Sequence, residues 1–331
     1  MDRINRRTVW QSAIALALMA APQAQAKGKT PLPVIFHTDI GGDVDDTWAL
    51  LLLMRRPELD LKLVVTEGEN AVYRGRLTAK LLTLGKCAHV PLAIGADAHD
   101  DRAAQSDWIG DFTLKDYAGT VRTDGAQAIV DVIMASDGPV TIISVGPATT
   151  VSDALRLEPA IAKHARFVGM FGSIHTGYGA GKPPEAEYNV KTDPTALRNV
   201  FEAAWPCSIT PLDTCGLLTL DGPLYQQVRR SHDPFAIACI RNSELWLPHA
   251  SWMAKDFNIQ KTSSILFDVV AVVMAFDESD LIMQTLPLSV LDDGMTVVDP
   301  INGKPVRCAL AWKNMPRFKR RVVANLTKNL I

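Results

Sequence analysis

The chain of 331 residues has almost no net charge. Its 34 Lys and Arg residues nearly balance its 36 Asp and Glu residues, which leaves a formal charge of −2. Without a strong positive field or a long Lys/Arg run, a protein is not drawn to polyanions or to anionic lipid surfaces. We therefore expect no nucleic-acid partner.

Cysteine is scarce and scattered. The five residues are Cys87, Cys207, Cys215, Cys239 and Cys308. No two of them have C-x-x-C spacing, so a zinc site is not indicated. In an oxidising compartment one disulfide could form, for example Cys207 with Cys215, but buried free thiols are the favoured interpretation.

Other signatures are missing as well. Beyond the N-terminal segment no stretch is apolar and long enough to predict a transmembrane helix. The first strand is not followed by a Gly-x-x-x-x-Gly-Lys loop, so a nucleoside triphosphatase is not supported. No repeat, low-complexity segment or clear linker divides the chain, and its hydrophobic content of 47% is ordinary for a globular protein.

The N-terminal segment predicts export. The pair Arg6-Arg7 precedes a short apolar stretch, residues 13–21, and Ala24-Gln25-Ala26 has the small-x-small pattern of a cleavage site. The arginine pair favours a twin-arginine signal over a general secretory signal. We expect residues 1–26 to be a cleaved signal and residues 27–331 to form one domain. The mature protein is expected in the periplasm or secreted medium of a bacterium, without a membrane anchor.

The remaining chain alternates apolar β-rich runs with helix-period segments. The strongest strand prediction is Val140–Val145, which is β-branched and lies between Gly138-Pro139 and Gly146-Pro147. The alternation predicts an α/β fold with an open, largely parallel sheet flanked by helices. The stretch from Leu281 to Trp312 predicts small C-terminal β additions.

One acidic loop stands out. The predicted strand Val34–His37 leads into four carboxylates, Asp39, Asp43, Asp45 and Asp46, and an apolar helix pattern follows. Like charges at this spacing are tolerated in solvent or when a cation neutralises them. Asp carboxylates are hard oxygen donors that suit Ca²⁺ or Mg²⁺.

Polar residues also follow later strands. They are Glu67-Gly68-Glu69-Asn70, Gly146–Thr150 and Glu187-Tyr188-Asn189. Each alone is explained as well by a helix cap or a solvated loop. Asp268 is harder to explain in that way, because it lies in an apolar run where a lone carboxylate requires a partner or a metal.

Taken together and in order, these motifs resemble the inosine–uridine-type nucleoside hydrolase family. The stretch His37–Thr47 is similar to that family's Asp-Thr-Asp-Pro-Gly-x-Asp-Asp-Ala loop. The similarity continues through Asp124-Gly125-Ala126, Gly146–Thr149, Met170–Gly172, Glu187–Val190, Asp193-Pro194, Phe267-Asp268 and Gly294–Asp299.

The resemblance implies a calcium-dependent hydrolase that cleaves the N-glycosidic bond of ribonucleosides. The implied calcium ligands are Asp39, Asp46, the backbone carbonyl of Thr149, and Asp268. Asp45, or alternatively Asp43, is the implied general base. The implied substrate-binding residues are Glu187, Asn189 and Met170, with Asn70 or Glu69 near the sugar. A homodimer or homotetramer is expected on the same basis.

The chain also departs from the family pattern. The acidic loop is two residues longer than the family motif, which leaves Asp43 and Asp45 as alternative bases. When the motif is aligned from the helix that follows the loop, Asp45 is favoured. Phe267 stands where the family commonly has a His, so a leaving-group acid from that position is missing. Two alternatives therefore remain: a periplasmic nucleoside- or ribose-binding protein without turnover, and a hydrolase of another N-ribosyl compound.

Overall fold

A ten-stranded sheet forms the centre of the protein, whose computed structural model describes residues 30–97 and 102–328. The strands are β1 (Leu32–Thr38), β2 (Leu59–Thr66), β3 (Leu92–Ile94), β4 (Val121–Arg122), β5 (Val140–Ser144), β6 (Ala165–Met170), β7 (Cys207–Thr210), β8 (Leu281–Val290), β9 (Thr296–Val298) and β10 (Lys304–Trp312).

Helices flank this sheet. Within the described ranges they are α1 (Asp45–Met54), α2 (Ala71–Leu84), α3 (Ser106–Ile109), α4 (Gly125–Met134), α5 (Thr149–Leu157), α6 (Tyr188–Thr192), α7 (Pro194–Glu202), α8 (Gly222–Arg229), α9 (Pro234–Trp246), α10 (Phe267–Met274) and α11 (Met315–Leu326).

The strand order across the sheet is β4-β3-β2-β1-β5-β6-β7-β10-β8-β9. The strands from β4 to β7 are parallel, and β10 pairs parallel with β7. β8 pairs antiparallel with β10 and β9. The predicted α/β class with a largely parallel sheet is confirmed, and the C-terminal β additions extend that same sheet.

Apolar side chains cover both faces of the sheet. Along β1, Val34 and Phe36 belong to one core cluster, whereas Ile35 belongs to the other. A parallel strand buried on both faces has a continuous apolar sequence instead of an alternating one. This is why the short apolar run before the acidic loop predicted a strand.

Asp-Pro pairs begin two of the helices. The carboxylate of Asp193 accepts the N–H of Ala196 at 2.9 Å, and α7 begins at Pro194. Asp233 accepts the N–H of Phe235 at 2.8 Å at the start of α9. In both cases an acidic N-cap satisfies an end donor and proline occupies the first helical position, where its missing N–H costs nothing.

Two regions have boundaries that sequence periodicity does not show. The polar stretch after β3 contains α3 and β4, which are too short to produce a periodic sequence pattern. The last helix, α11, spans Met315–Leu326. It begins at Met315 because the side chain of Asn314 accepts the N–H of Arg317 at 3.0 Å and so caps the first turn.

All five cysteines are free thiols, and Cys207 and Cys215 form no disulfide. The favoured interpretation, buried free thiols, is confirmed for every cysteine except Cys87, which is only partly buried. Among the residues described, no helix is long and apolar enough to cross a membrane. The predicted signal, residues 1–26, lies outside the described residues.

Candidate functional site

Four neighbouring strands bring the predicted site segments to one edge of the sheet. β2, β1, β5 and β6 lie side by side in that order and are parallel. Their carboxyl ends open onto the same edge, where parallel α/β sheets bind ligands. The acidic loop follows β1, Glu69 follows β2, Thr149 follows β5, and Glu187 follows β6.

The acidic loop is held by local hydrogen bonds of the Thr38 side chain and by glycines. The hydroxyl of Thr38 donates to the Asp46 carboxylate and accepts the N–H of Ile40 at 3.1 Å. Gly41 has a φ of 101°, a left-handed conformation that favours glycine. Gly146 permits close approach from β5, because a Cβ there would lie 2.7 Å from the amide nitrogen of Asp39. The loop therefore depends on glycine both within it and beside it.

Three predicted carboxylates converge although they come from distant parts of the chain. Ligand oxygens of Asp45, Asp46 and Asp268 all lie within 4.8 Å of one another, and all three side chains are buried. The first two begin α1, and Asp268 is the second residue of α10, which packs against α1. Asp45 also accepts the N–H of Asp268 at 3.1 Å. The positive ends of both helices therefore face this acidic group.

Burial raises the pKa of each carboxyl group in this region. The pKa of Asp39 rises to about 6 and that of Asp43 to about 8. Burial, reinforced by neighbouring carboxylates, raises the pKa of Asp45, Asp46 and Asp268 well above the ordinary value of 3.8. A divalent cation would relieve this repulsion, and every donor is a hard oxygen of the kind Ca²⁺ takes. The residues thus fit the implied ion.

Asp43 and the predicted ligand Asp39 are not members of the group formed by Asp45, Asp46 and Asp268, although the charges of both help to raise the pKa of Asp45. Asp43 is only partly buried, and its carboxylate accepts the N–H of the next residue, Val44, at 2.5 Å. Aligning the family motif from the following helix assigns its two consecutive carboxylates to Asp45 and Asp46. These two side chains lie together in the acidic group. The catalytic roles of Asp43 and Asp45 stay predictions.

Thr149 is the first residue of α5. Its hydroxyl donates to the carboxylate of Asp193 at 2.9 Å, and the next amide, of Thr150, donates to Glu67 at 2.7 Å. These bonds fix the start of the helix at the carboxyl edge. The role of the Thr149 carbonyl as a ligand stays a prediction.

The predicted sugar-binding residues after β6 form one hydrogen-bonded unit. Glu187 caps α6 and accepts N–H groups from Gly172, Asn189 and Val190. Burial raises its pKa to about 7, although these bonds act in the opposite direction. The Asn189 amide donates to the backbone carbonyl of Met170 at 3.1 Å. The three predicted residues Glu187, Asn189 and Met170 therefore lie together.

The structure distinguishes between Glu69 and Asn70. Asn70 has a φ of 56° and caps α2, since its side chain accepts the N–H of Tyr73 at 3.3 Å. Its side-chain oxygen is thereby committed to the helix. Glu69 instead reaches the hydroxyl of Tyr188 at 3.2 Å, beside the sugar-binding residues. Which of Glu69 and Asn70 contacts the sugar stays a prediction.

Sequence reasoning overlooked a buried polar cluster behind the acidic loop. The two ring nitrogens of His37 lie 2.8 Å from a carboxylate oxygen of Glu67 and 2.9 Å from the hydroxyl of Ser144. All three side chains are buried. The available signal was the occurrence of polar residues at the ends of otherwise apolar strands.

The glycine-rich loop after β6 brings Tyr178 to the rim of the site. Its ring packs edge-on against Phe267 with centroids 6.0 Å apart, and its hydroxyl accepts the N–H of Tyr188 at 2.9 Å. Asp213 accepts two backbone N–H groups at the start of this loop, at 2.9 and 2.8 Å. His175 belongs to the same loop, but it is exposed. Tyr178 therefore contacts the neighbours of both the acidic group and the sugar-binding residues.

Most of the sequence matches the model of a known protein family. Residues 34–324 match the family model described as inosine-uridine preferring nucleoside hydrolase. The chain belongs to this family. The match spans both the acidic loop and Asp268, so both halves of the acidic group lie within the family region.

Individual relatives give the same grouping. The chain is 32% identical over 197 residues to a protein named pyrimidine-specific ribonucleoside hydrolase RihA from Enterobacter sp. (strain 638), which covers 55% of this chain and 60% of that protein. It is 26% identical over 300 residues to the inosine-uridine preferring nucleoside hydrolase of Crithidia fasciculata, covering 84% and 91%. The chain thus spans less than two thirds of the first of these relatives.

Solved structures share the fold. A plant nucleoside hydrolase superposes with a TM-score of 0.75 at 19% identity, covering 90% of this chain and 99% of that chain. The inosine-uridine preferring nucleoside hydrolase from Bacillus anthracis gives a TM-score of 0.72 at 18% identity, covering 89% and 99%.

Proposed function

We propose that the protein is a Ca²⁺-dependent hydrolase that cleaves the N-glycosidic bond of ribonucleosides into free base and ribose. The observation that carries the proposal is the buried group of Asp45, Asp46 and Asp268 at the same sheet edge as Glu187 and Asn189. Family membership and the names of the relatives support it.

Each residue has a distinct role in this proposal. Asp39, Asp46 and Asp268, with the Thr149 carbonyl, would hold the cation. Bound Ca²⁺ would supply a fixed positive charge that polarises water and sugar hydroxyl groups. Asp45 takes the proton of the attacking water as general base, and Asp43 supports it from the loop.

The sugar-binding residues act on the ribose. Glu187 and Asn189 orient its hydroxyl groups, and hydrogen bonds to those groups strengthen as the ring gains oxocarbenium character. Their own backbone contacts hold them rigidly, so little reorganisation is needed as the reaction proceeds. The aromatic rings of Tyr178 and Phe267 would shield the departing base from water.

The test is a substrate panel. The mature chain, residues 27–331, would be incubated with inosine, adenosine, guanosine, uridine and cytidine, with Ca²⁺ or with a chelator, and free ribose would be measured. We expect release from at least one nucleoside, loss of release with the chelator, and very low release from Asp45→Asn. No ribose from any nucleoside in the presence of Ca²⁺ would contradict the proposal.

Phe267 supports a second candidate function. It is apolar and buried next to Asp268, where it offers no proton to a leaving base. A nucleoside- or ribose-binding protein without turnover would tolerate this residue, as would a hydrolase of an N-ribosyl compound that needs no leaving-group acid. Tight nucleoside binding in calorimetry without ribose release would favour the binding protein.

We also propose export and self-association. Residues 1–26 would direct the chain to the periplasm or the medium, and replacing Arg6 and Arg7 by Lys should abolish export if the twin-arginine route is used. Cell fractionation tests this. A homodimer or homotetramer is proposed from the family resemblance, and light scattering coupled to size exclusion would measure its mass.

A further inference from the structure

We propose that Arg74 is a positioning residue that holds the acidic loop in a fixed position relative to the sugar-binding segment. The inference rests on the proposed calcium site and adds a residue that touches neither the ion nor the substrate. Arg74 lies in the first turns of α2, and only 4% of its side chain is exposed.

The Arg74 guanidinium joins the loops that follow β1 and β2. It donates to the carbonyl of Ile40 at 3.0 Å, which immediately follows Asp39 in the acidic loop. It also donates to the backbone carbonyl of Glu69 at 2.5 Å and to the Glu69 carboxylate at 2.6 Å. A planar guanidinium can satisfy several acceptors in fixed directions, which an ammonium group cannot do in the same way.

A glycine makes room for this contact in the loop after β2. A Cβ at Gly68 would lie 3.3 Å from the Arg74 guanidinium. Gly68 also has a φ of 90°, which side chains rarely adopt. The preceding residue, Tyr73, donates to the Gly41 carbonyl at 3.2 Å. Two consecutive residues of α2 therefore hold consecutive carbonyls of the acidic loop.

The connection continues to the sugar-binding residues. The other oxygen of Glu69 accepts the hydroxyl of Tyr188 at 3.2 Å. Tyr188 lies in sequence between Glu187 and Asn189, which the proposed function assigns to the ribose. A polar path thus runs from the carbonyl of Ile40 through Arg74 and Glu69 to the sugar-binding segment.

Charge and geometry make opposite predictions for metal binding. The positive charge of Arg74 repels a divalent cation near Asp39 and Asp46, so removing it would tighten Ca²⁺ binding if charge were decisive. Its hydrogen bonds hold the loop that carries these ligands, so removing them would weaken binding if position were decisive. We infer that the hydrogen bonds of Arg74 affect Ca²⁺ binding more than its charge does.

Two substitutions separate these effects. Arg74→Lys keeps the charge without the planar fork, and Arg74→Met removes both. Ca²⁺ binding would be measured by titration calorimetry without substrate. We expect the dissociation constant to rise about 10- to 100-fold in both variants, the usual effect of losing a group that supports metal ligands. The nucleoside KM should rise as well, because Glu69 loses the Arg74 guanidinium and keeps only Arg102 and Tyr188 as side-chain partners.

Arg76→Met is the matched control. Arg76 belongs to the same helix, but its guanidinium donates to the carbonyls of Phe112 and Gly110, each at 2.8 Å, outside the acidic loop. Its Ca²⁺ dissociation constant should equal that of the wild type. If Arg74 variants do not fold, Gly68→Ala provides a second test, since it crowds the guanidinium and should also weaken Ca²⁺ binding.

The outcomes are distinguishable. Tighter Ca²⁺ binding by Arg74→Met, or wild-type binding by Arg74→Lys, overturns the positioning role while leaving the proposed function intact. Wild-type protein that binds no Ca²⁺ overturns the proposed metal site and this inference with it. Ca²⁺ binding weakened in both Arg74 variants but not in Arg76→Met supports the inference.

Discussion

Replacing Asp268 by Asn should stabilise the metal-free protein and abolish its response to calcium. The side chain keeps its shape but loses its charge. In the wild type, Asp45, Asp46 and Asp268 have ligand oxygens within 4.8 Å of one another. Two unit charges at that distance repel by about 3 kcal/mol at an effective dielectric constant of about 20.

The substitution removes two of the three repulsive pairs in the group. Protonation already relieves part of this repulsion in the wild type, since the pKa of each carboxyl is raised. We therefore expect the free energy of unfolding without metal to increase by about 2–4 kcal/mol. For a chain of this size, that raises the melting temperature by roughly 3–6 °C.

Calcium should offset most of this difference. At a concentration about 100 times its dissociation constant, a ligand that binds only the folded state stabilises it by about 2.7 kcal/mol. The wild type should gain this stabilisation, and Asp268→Asn should not. Thermal unfolding followed by circular dichroism, with Ca²⁺ or with a chelator, measures both effects.

Asp280→Asn is the matched control. Asp280 is equally buried, but its carboxylate pairs with Arg317 at 2.6 Å and with Arg321 at 3.0 Å. Removing its charge should lower the stability, with or without calcium, because cationic partners lose their counter-ion. If Asp268→Asn behaved like this control, or retained the full calcium response, the reasoning about the acidic group would be refuted.

Three further predictions concern the same edge of the sheet. Asp45→Asn should reduce kcat by about 10²–10⁴-fold in a ribose-release assay, whereas Asp43→Asn should reduce it much less; the reverse order would assign the base to Asp43. Burial raises the pKa of Glu187 from 4.5 to about 7, so the folded state binds the extra proton and its stability falls as pH rises between these values, by about 3 kcal/mol in total. Chemical denaturation of metal-free protein at several pH values should therefore show a shallower decline for Glu187→Gln, and parallel curves would contradict this. Gly146→Ala should weaken Ca²⁺ binding in calorimetry, because its Cβ would lie 2.7 Å from the Asp39 amide nitrogen and displace that residue; an unchanged affinity would mean that the loop adjusts freely.

The sequence predicts the parts of the site that depend on local patterns. Asp45 and Asp46 directly precede an apolar helix pattern, and Asp268 interrupts another one, so each is conspicuous in its own segment. Their convergence could be predicted only through the family resemblance. No local pattern indicates that α1 packs against α10, since long-range packing is decided by the whole core.

The residues that were missed are those whose role depends on tertiary contacts. A single Arg in a helix ordinarily predicts a solvent-exposed position, yet Arg74 is buried because it donates to the loops that follow β1 and β2. Glu69 and Asn70 were equivalent in the sequence, and they differ only because Asn70 adopts a left-handed conformation and caps α2. The backbone conformation of a single residue cannot be predicted from the sequence pattern around it.

Asp45 accepts a hydrogen bond from Asp268 although the two residues lie 223 positions apart in the sequence. Formation of the proposed calcium site therefore depends on how far synthesis and folding of the chain have advanced. A partly synthesised or truncated chain that lacks α10 contains three of the four proposed ligands but not Asp268. High-affinity calcium uptake would therefore begin only after α10 has packed against α1, whether or not β8, β9 and β10 have joined the sheet. During refolding, the appearance of a calcium-dependent signal would report the packing of α10 against α1, and a C-terminal truncation before α10 should never produce it.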